Sequence, residues 1–105
     1  MGVDNSVVRA AIELKITPQR DSGFGKIAEK VSRFDQVEAC FLMSGAYDLL
    51  LFVKGDSLQD VAQFVAQDIS TIDGVLSTAT HFMLKTYKAG GVADFAGDER
   101  LAVTP

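Results

Sequence analysis

The 105-residue chain predicts an α+β domain, a four-stranded antiparallel sheet with two helices on one face in the order βαββαβ. Period-two hydrophobic alternation marks four segments and helical spacing marks two others, with turn residues between them. Apolar residues make up 48% of the chain and charged residues 23%, a balance that suits a packed core and not a disordered chain. A chain of this size is one ordinary domain and buries roughly 60–70% of its unfolded surface without metal or disulfide staples.

The first strand is read over Val7 to Ile16. Val8, Ala10, Ile12, Leu14 and Ile16 share one face, while Arg9, Glu13 and Lys15 occupy the other. Thr17-Pro18 ends it, because proline has no N–H for the ladder. Asp21 or Ser22 is placed to cap a first helix whose Phe24, Ile27, Ala28, Val31 and Phe34 recur at helical spacing opposite Lys26, Glu29, Lys30 and Arg33. Val37 to Ser44 reads as the second strand, Ser44-Gly45-Ala46 as a turn, and Tyr47 to Lys54 as the third strand.

Gly55-Asp56 breaks the chain again, and Ser57 with Asp60 forms a capping-box pattern. The helix behind it carries Leu58, Val61, Ala62, Val65, Ile69 and Ile72 as a stripe. Asp73-Gly74 closes that helix, and Val75 to Tyr87 reads as a long fourth strand. Residues 1–6 form a lead, 7–88 the domain, and 89–105 a C-terminal tail without period. This is the split-βαβ or ferredoxin-like order, in which right-handed crossovers put the first and third strands at the centre of the sheet.

Both faces of the second and third strands are apolar. Leu49, Leu51 and Val53 oppose Leu50 and Phe52, and Val37, Ala39, Phe41 and Met43 oppose Cys40 and Leu42. Two helices cover only one sheet face, so the other is expected either to pair with a second copy or to lie under the tail residues Val92, Phe95 and Leu101.

Charge and chemistry narrow the function. Ten Lys and Arg against fourteen Asp and Glu give a net charge of −4, which argues against direct nucleic-acid binding. The start of the chain has no signal-peptide pattern, and the longest apolar run, Leu49 to Val53, is far short of a membrane span, so a soluble, cytoplasmic protein is expected. Cys40 is the sole cysteine, and His81 the sole histidine, so neither a disulfide within the chain nor a His/Cys zinc site is expected, and no cofactor is implied. A strand histidine is read first as a hydrogen-bonded structural residue and Cys40 as a small hydrophobe.

Two clusters remain. In Ser44-Gly45-Ala46-Tyr47-Asp48, a glycine free to take positive φ leaves main-chain groups accessible, and Tyr47 and Asp48 add a hydroxyl and a carboxylate able to hold an ammonium. In Gly74 to Thr80, Thr78 and Thr80 project from the same strand face. On physical grounds alone, a plain hairpin turn with β-favouring threonines is the favoured reading of these residues.

The run Gly45-Ala46-Tyr47-Asp48-Leu49-Leu50-Leu51, followed by Ile72-Asp73-Gly74-Val75-Leu76-Ser77-Thr78-Ala79-Thr80, resembles the effector-binding domain of the Lrp/AsnC family. The similarity spans Val7 to about Lys88. It implies a non-catalytic sensor of an amino acid or similar small effector, with Gly45, Tyr47, Asp48, Thr78 and Thr80 as ligand-binding residues. It also implies subunits paired sheet-to-sheet as a dimeric α/β barrel, higher homo-oligomers up to octamers, and co-assembly with full-length regulators. Full-length members carry a helix-turn-helix arm ahead of this domain, and the six residues before the first strand lead us to expect a stand-alone form. The competing expectation is a dimeric α/β-barrel enzyme resembling small monooxygenases, with His81 as its acid–base group.

Overall fold

The computed structural model describes residues 7–18 and 23–93. Its elements are β1 (Val8–Ile16), α1 (Gly25–Ser32), β2 (Val37–Leu42), β3 (Leu49–Gly55), α2 (Leu58–Phe64) with a π-helical continuation Val65–Ile69, and β4 (Val75–Phe82). A short hairpin, β5 (Lys88–Ala89) and β6 (Val92–Ala93), follows. The main sheet has the order β2-β3-β1-β4, and every neighbouring pair is antiparallel. The expected fold class and the central position of the first and third strands hold.

Alternation explains the core. Ile12 pairs with Leu51, Leu14 with Leu49 and Ala10 with Val53, so these six side chains leave the same sheet face and all are buried. Ile27 and Val31 from α1, and Val61, Phe64, Val65 and Ile69 from the second helix, close over them. Phe34 meets Phe64 edge-to-face, with ring centroids 5.2 Å apart, and so ties the two helical segments together. Ser57 caps α2 by accepting the Asp60 N–H at 3.0 Å, as the capping pattern predicts.

Several boundaries and faces differ from expectation. Asp21 and Ser22 lie outside the described residues, and Phe24 holds the N-cap position of α1 without a side-chain cap. The second helical stripe runs through Phe64, whereas Leu58 and Ala62 face solvent. The π turn is the reason for the downstream spacing: the Ser70 N–H donates to the Val65 carbonyl five residues back, at 2.8 Å, which adds a residue to that turn and still buries Ile69 and Ile72.

In β2, a bulge at Glu38 puts Val37 opposite Val53 and Ala39 opposite Phe52. Val37 and Cys40 therefore pack on the helix side, while Ala39 and Phe41 stay on the open side; Val37 does not share a face with Ala39 as simple alternation requires. The strands are also shorter than expected. β2 stops at Leu42, β3 starts at Leu49, and β4 stops at Phe82 and not at Tyr87.

The open face carries Ala39, Phe41, Leu50, Phe52 and Ala11 at one side and Glu13 and His81 at the other, as the strand registers dictate. Phe41 is 47% exposed and meets Phe52 edge-to-face at 5.8 Å. Val92, one of the tail residues expected to cover this face, is instead 71% exposed in the hairpin, and Phe95 and Leu101 lie outside the described residues.

Candidate functional site

The two sequence clusters flank the end of β1, one on either side of the strand. Gly45 has φ +129°, and nothing lies within 4 Å of where a Cβ would stand, so the turn is open on that side. The turn is anchored to β1 at three points. The Asp48 N–H donates to the Leu14 carbonyl at 2.9 Å, Asp48 Oδ2 accepts the Ile16 N–H at 2.9 Å, and the Lys15 ammonium donates to the Ala46 carbonyl at 3.3 Å. Within the turn, the Met43 N–H donates to the Asp48 carbonyl at 2.8 Å. On the other side of β1, the Thr17 N–H donates to the Gly74 carbonyl at 2.8 Å, with Gly74 at φ +98°.

Local structure explains why Asp48 sits there. β1 runs on to Ile16, past the first residue of β3, so the Ile16 N–H would otherwise lack a ladder partner. The Asp48 carboxylate fills that role. A carboxylate accepts about four hydrogen bonds, so one main-chain N–H leaves most of its acceptor capacity for other donors. Tyr47 and Asp48 are both half-buried, and Gly45 is exposed.

Thr78 pairs with Leu14 and Thr80 with Ile12, so both threonines face the helix side of the edge strand β4, half-buried. Leu14 thus stands between the two clusters, with Asp48 hydrogen-bonded to its carbonyl and Thr78 as its neighbour on the other side. Two strand spacings separate β3 from β4, or about 10 Å. One copy of the chain brings Gly45, Tyr47 and Asp48 together and holds Thr78 and Thr80 on the far side of β1.

His81 is elsewhere, on the open face, where its Nε2 lies 3.0 Å from Glu13 Oε2. Glu13 is a partner the sequence reading missed. Ala11 pairs with His81, and Glu13, two residues along the same strand, is its diagonal neighbour, a contact visible only once the register is known. Cys40 is half-buried in a groove of about 460 Å³ between α1 and β2, lined also by Phe24, Ala28, Ser32 and Leu42. Burial pushes its thiol above the ordinary value, and a hydrogen bond with Ser32 partly offsets that rise.

A cleft of about 670 Å³ lies at the opposite end of β3 from the Gly45–Asp48 turn. Asp35, Gln36, Lys54, Gly55, Asp56, Asp60 and Asp68 line it, with Phe64 and Val7 as apolar lining. Asp35 comes from the connection between α1 and β2, and the other three carboxylates come from the stretch that runs from the end of β3 through the second helix, so no single local motif announces them. No helix among the described residues is long and apolar enough to cross a membrane.

Comparison with known proteins bears on both the fold and the family. A model of the Lrp/AsnC ligand binding domain matches residues 9–93. The chain is 48% identical over 100 residues to an uncharacterized HTH-type transcriptional regulator, YugG, of Bacillus subtilis, covering 93% of this chain and 60% of that protein. It is 26% identical over 92 residues to the proline dehydrogenase transcriptional activator of Rhizobium radiobacter, covering 88% of this chain and 57% of that one. The chain therefore spans less than two thirds of the length of either relative.

Among solved structures, a transcriptional regulator of Neisseria meningitidis in complex with L-Met superposes with a TM-score of 0.73 at 23% identity, covering 86% of this chain and 58% of the other. Escherichia coli AsnC gives a TM-score of 0.72 at 20% identity, covering 85% and 61%. At those identities the two structures establish the shared fold.

Proposed function

This chain belongs to the Lrp/AsnC ligand-binding domain family, and from that membership we propose that it is a non-catalytic sensing module that binds an amino acid or a closely similar small molecule. The observation that carries this reading is the anchoring of the Gly45–Asp48 turn and the Gly74 loop to the end of β1, one on each side. An amino acid needs an acceptor for its ammonium beside donors for its carboxylate. Asp48 and the turn carbonyls supply the former, and Thr78, Thr80 and main-chain N–H groups supply the latter. About 10 Å between β3 and β4 is too far for one head group to bridge, so the pocket closes between copies of the chain. The regulator solved with L-Met has the same fold, which supports this ligand class.

Self-association belongs to the same proposal. The open sheet face, with Phe41, Phe52, Leu50 and the Glu13–His81 pair, suits burial against a second copy in a dimeric barrel. Larger rings and mixed assemblies with DNA-binding relatives would build on that dimer. The relatives named as transcriptional regulators favour this over the enzymatic reading, in which His81 would act as acid and base. The exposed position of His81 on the open face, away from the Gly45–Asp48 turn, supports the same choice.

The test is a thermal-shift screen of the twenty amino acids. A ligand at a hundred times its Kd adds roughly 2.7 kcal/mol, which for a domain of this size is a shift of several degrees or more. Failure of all twenty at millimolar concentration, with no heat by calorimetry, overturns the amino-acid reading.

A further inference from the structure

We propose that the segment following β4, Met83 to Val92, is an arm that docks in the acidic cleft of a second copy, between the beginning of its β2 and its α2. The inference rests on the sheet-to-sheet dimer proposed above and adds a second, charge-bearing contact to it.

The arm packs on none of the described residues closely enough to be buried. Every residue from Met83 to Ala93 is exposed, with Leu84 at 94% and Val92 at 71%. It nevertheless has a definite shape. Gly90 and Gly91 take φ +59° and +80°, which suits a tight two-residue turn between β5 and β6. The Lys85 ammonium sits 5.7 Å from the centre of the Tyr87 ring. A hairpin of two residues per strand is not stable alone in water, so a shaped but uncovered one calls for a surface to lie on.

Topology says where that surface is. In the sheet order β2-β3-β1-β4, β2 and β4 are the two edges and run in opposite directions. A two-fold axis along the strands, between sheets facing each other, lays β4 of one copy against β2 of the other. The end of β4 at Phe82 then arrives at the start of the second copy's β2 at Val37. Asp35 and Gln36, which precede that strand, are the rim of the cleft.

Reach and charge agree with this placement. Six extended residues, Met83 to Lys88, span about 20 Å, twice the roughly 10 Å between stacked sheets. The arm carries Lys85 and Lys88, whereas the cleft carries Asp35, Asp56, Asp60 and Asp68 against a single Lys54. The cleft volume of about 670 Å³ accommodates several side chains. The same arm cannot lie in its own cleft while every residue of it is exposed.

A charge swap tests the proposal. Lys85→Glu with Lys88→Glu, both at exposed positions, should weaken self-association about tenfold in sedimentation equilibrium, with an unchanged circular dichroism spectrum. Adding Asp35→Lys and Asp60→Lys to that same chain should restore association to within about threefold of the parent, and raised salt should weaken the parent but strengthen association of the chain with the two Lys-to-Glu changes alone, whose like charges it screens. Unchanged association of the Lys-to-Glu chain overturns the proposal, as does failure of the four-fold variant to recover. A charge-swap effect on Tm with none on sedimentation also overturns it, because that places the arm in its own cleft. A parent protein that sediments as an 11 kDa monomer overturns the dimer itself; a parent dimer indifferent to the arm charges overturns only the arm contact.

Discussion

The Ile16 N–H donates to Asp48 Oδ2 at 2.9 Å while the Asp48 N–H donates to the Leu14 carbonyl at the same distance. Asp48 therefore extends the β1–β3 ladder by one rung with a carboxylate in place of a peptide carbonyl. The side chain that best suits a ligand ammonium is also a structural acceptor, and two substitutions separate the roles. Asp48→Ala leaves a main-chain donor unpaired and should cost about 1–3 kcal/mol in urea unfolding. Asp48→Asn keeps an oxygen for Ile16 and should cost less, yet both variants should lose ten- to a hundredfold in amino-acid affinity by calorimetry. An Asn variant that binds like the parent would put the ammonium elsewhere.

Core and arm should respond oppositely to truncation. Leu51 lies in the centre of the sheet between Ile12 and Cys40 and is fully buried. Leu51→Ala should cost about 2–5 kcal/mol. Leu84→Ser, at the most exposed large apolar residue among the described residues, should change monomer stability by less than about 0.5 kcal/mol. Chemical denaturation of the two variants side by side decides the point.

A charge on the open sheet face should dissociate the protein without unfolding it. Phe52 stands between Ala11 and Ala39 on that face and contacts Phe41. Phe52→Glu should weaken dimerisation by about a hundredfold, since a carboxylate left unpaired in an interface costs several kcal/mol. Light scattering that shows an undiminished dimer would remove this face from the interface.

Cys40 should react slowly with maleimides at pH 7.5. Burial holds its thiol pKa up and so lowers the thiolate fraction. Because the folded-state value lies above the unfolded one, the associated stability is complete below the ordinary thiol value and is lost as pH rises through the raised folded one. Ser32→Ala removes the opposing hydrogen bond and should slow labelling further. Labelling as fast as that of an unfolded control would show the thiol to be exposed and ionised.

The order of the elements is legible because each core position obeys one period. Ile12, Leu14, Leu49 and Leu51 alternate cleanly, and their burial follows directly. Departures arise where a residue is inserted into a period. The bulge at Glu38 reverses the face of Val37, and the π turn after Phe64 lengthens the spacing to Ile69. Neither insertion has a local signature, because each is decided by what packs beside it. In the candidate site, the turn glycine at Gly45 is visible in sequence, but the bond from Asp48 to Ile16 joins residues 32 apart and depends on strand register. The Glu13–His81 pair and the acidic cleft are hidden for the same reason. The Gly90-Gly91 turn is the opposite case, with an evident turn dipeptide flanked by strands too short for period two to show.

The bulge at Glu38 has a consequence for how growth stops. An edge strand displaying Phe41 and Leu42 on a flat ladder would be a template for chain after chain to add to, ending in fibres. The extra residue kinks the beginning of that edge, and the ion pair from Arg9 to Glu38 at 3.0 Å reaches across β3 and plants a charge at the kink. An incoming strand meets an interrupted template with a charged residue at its break, which favours closed, finite contacts over an open polymer.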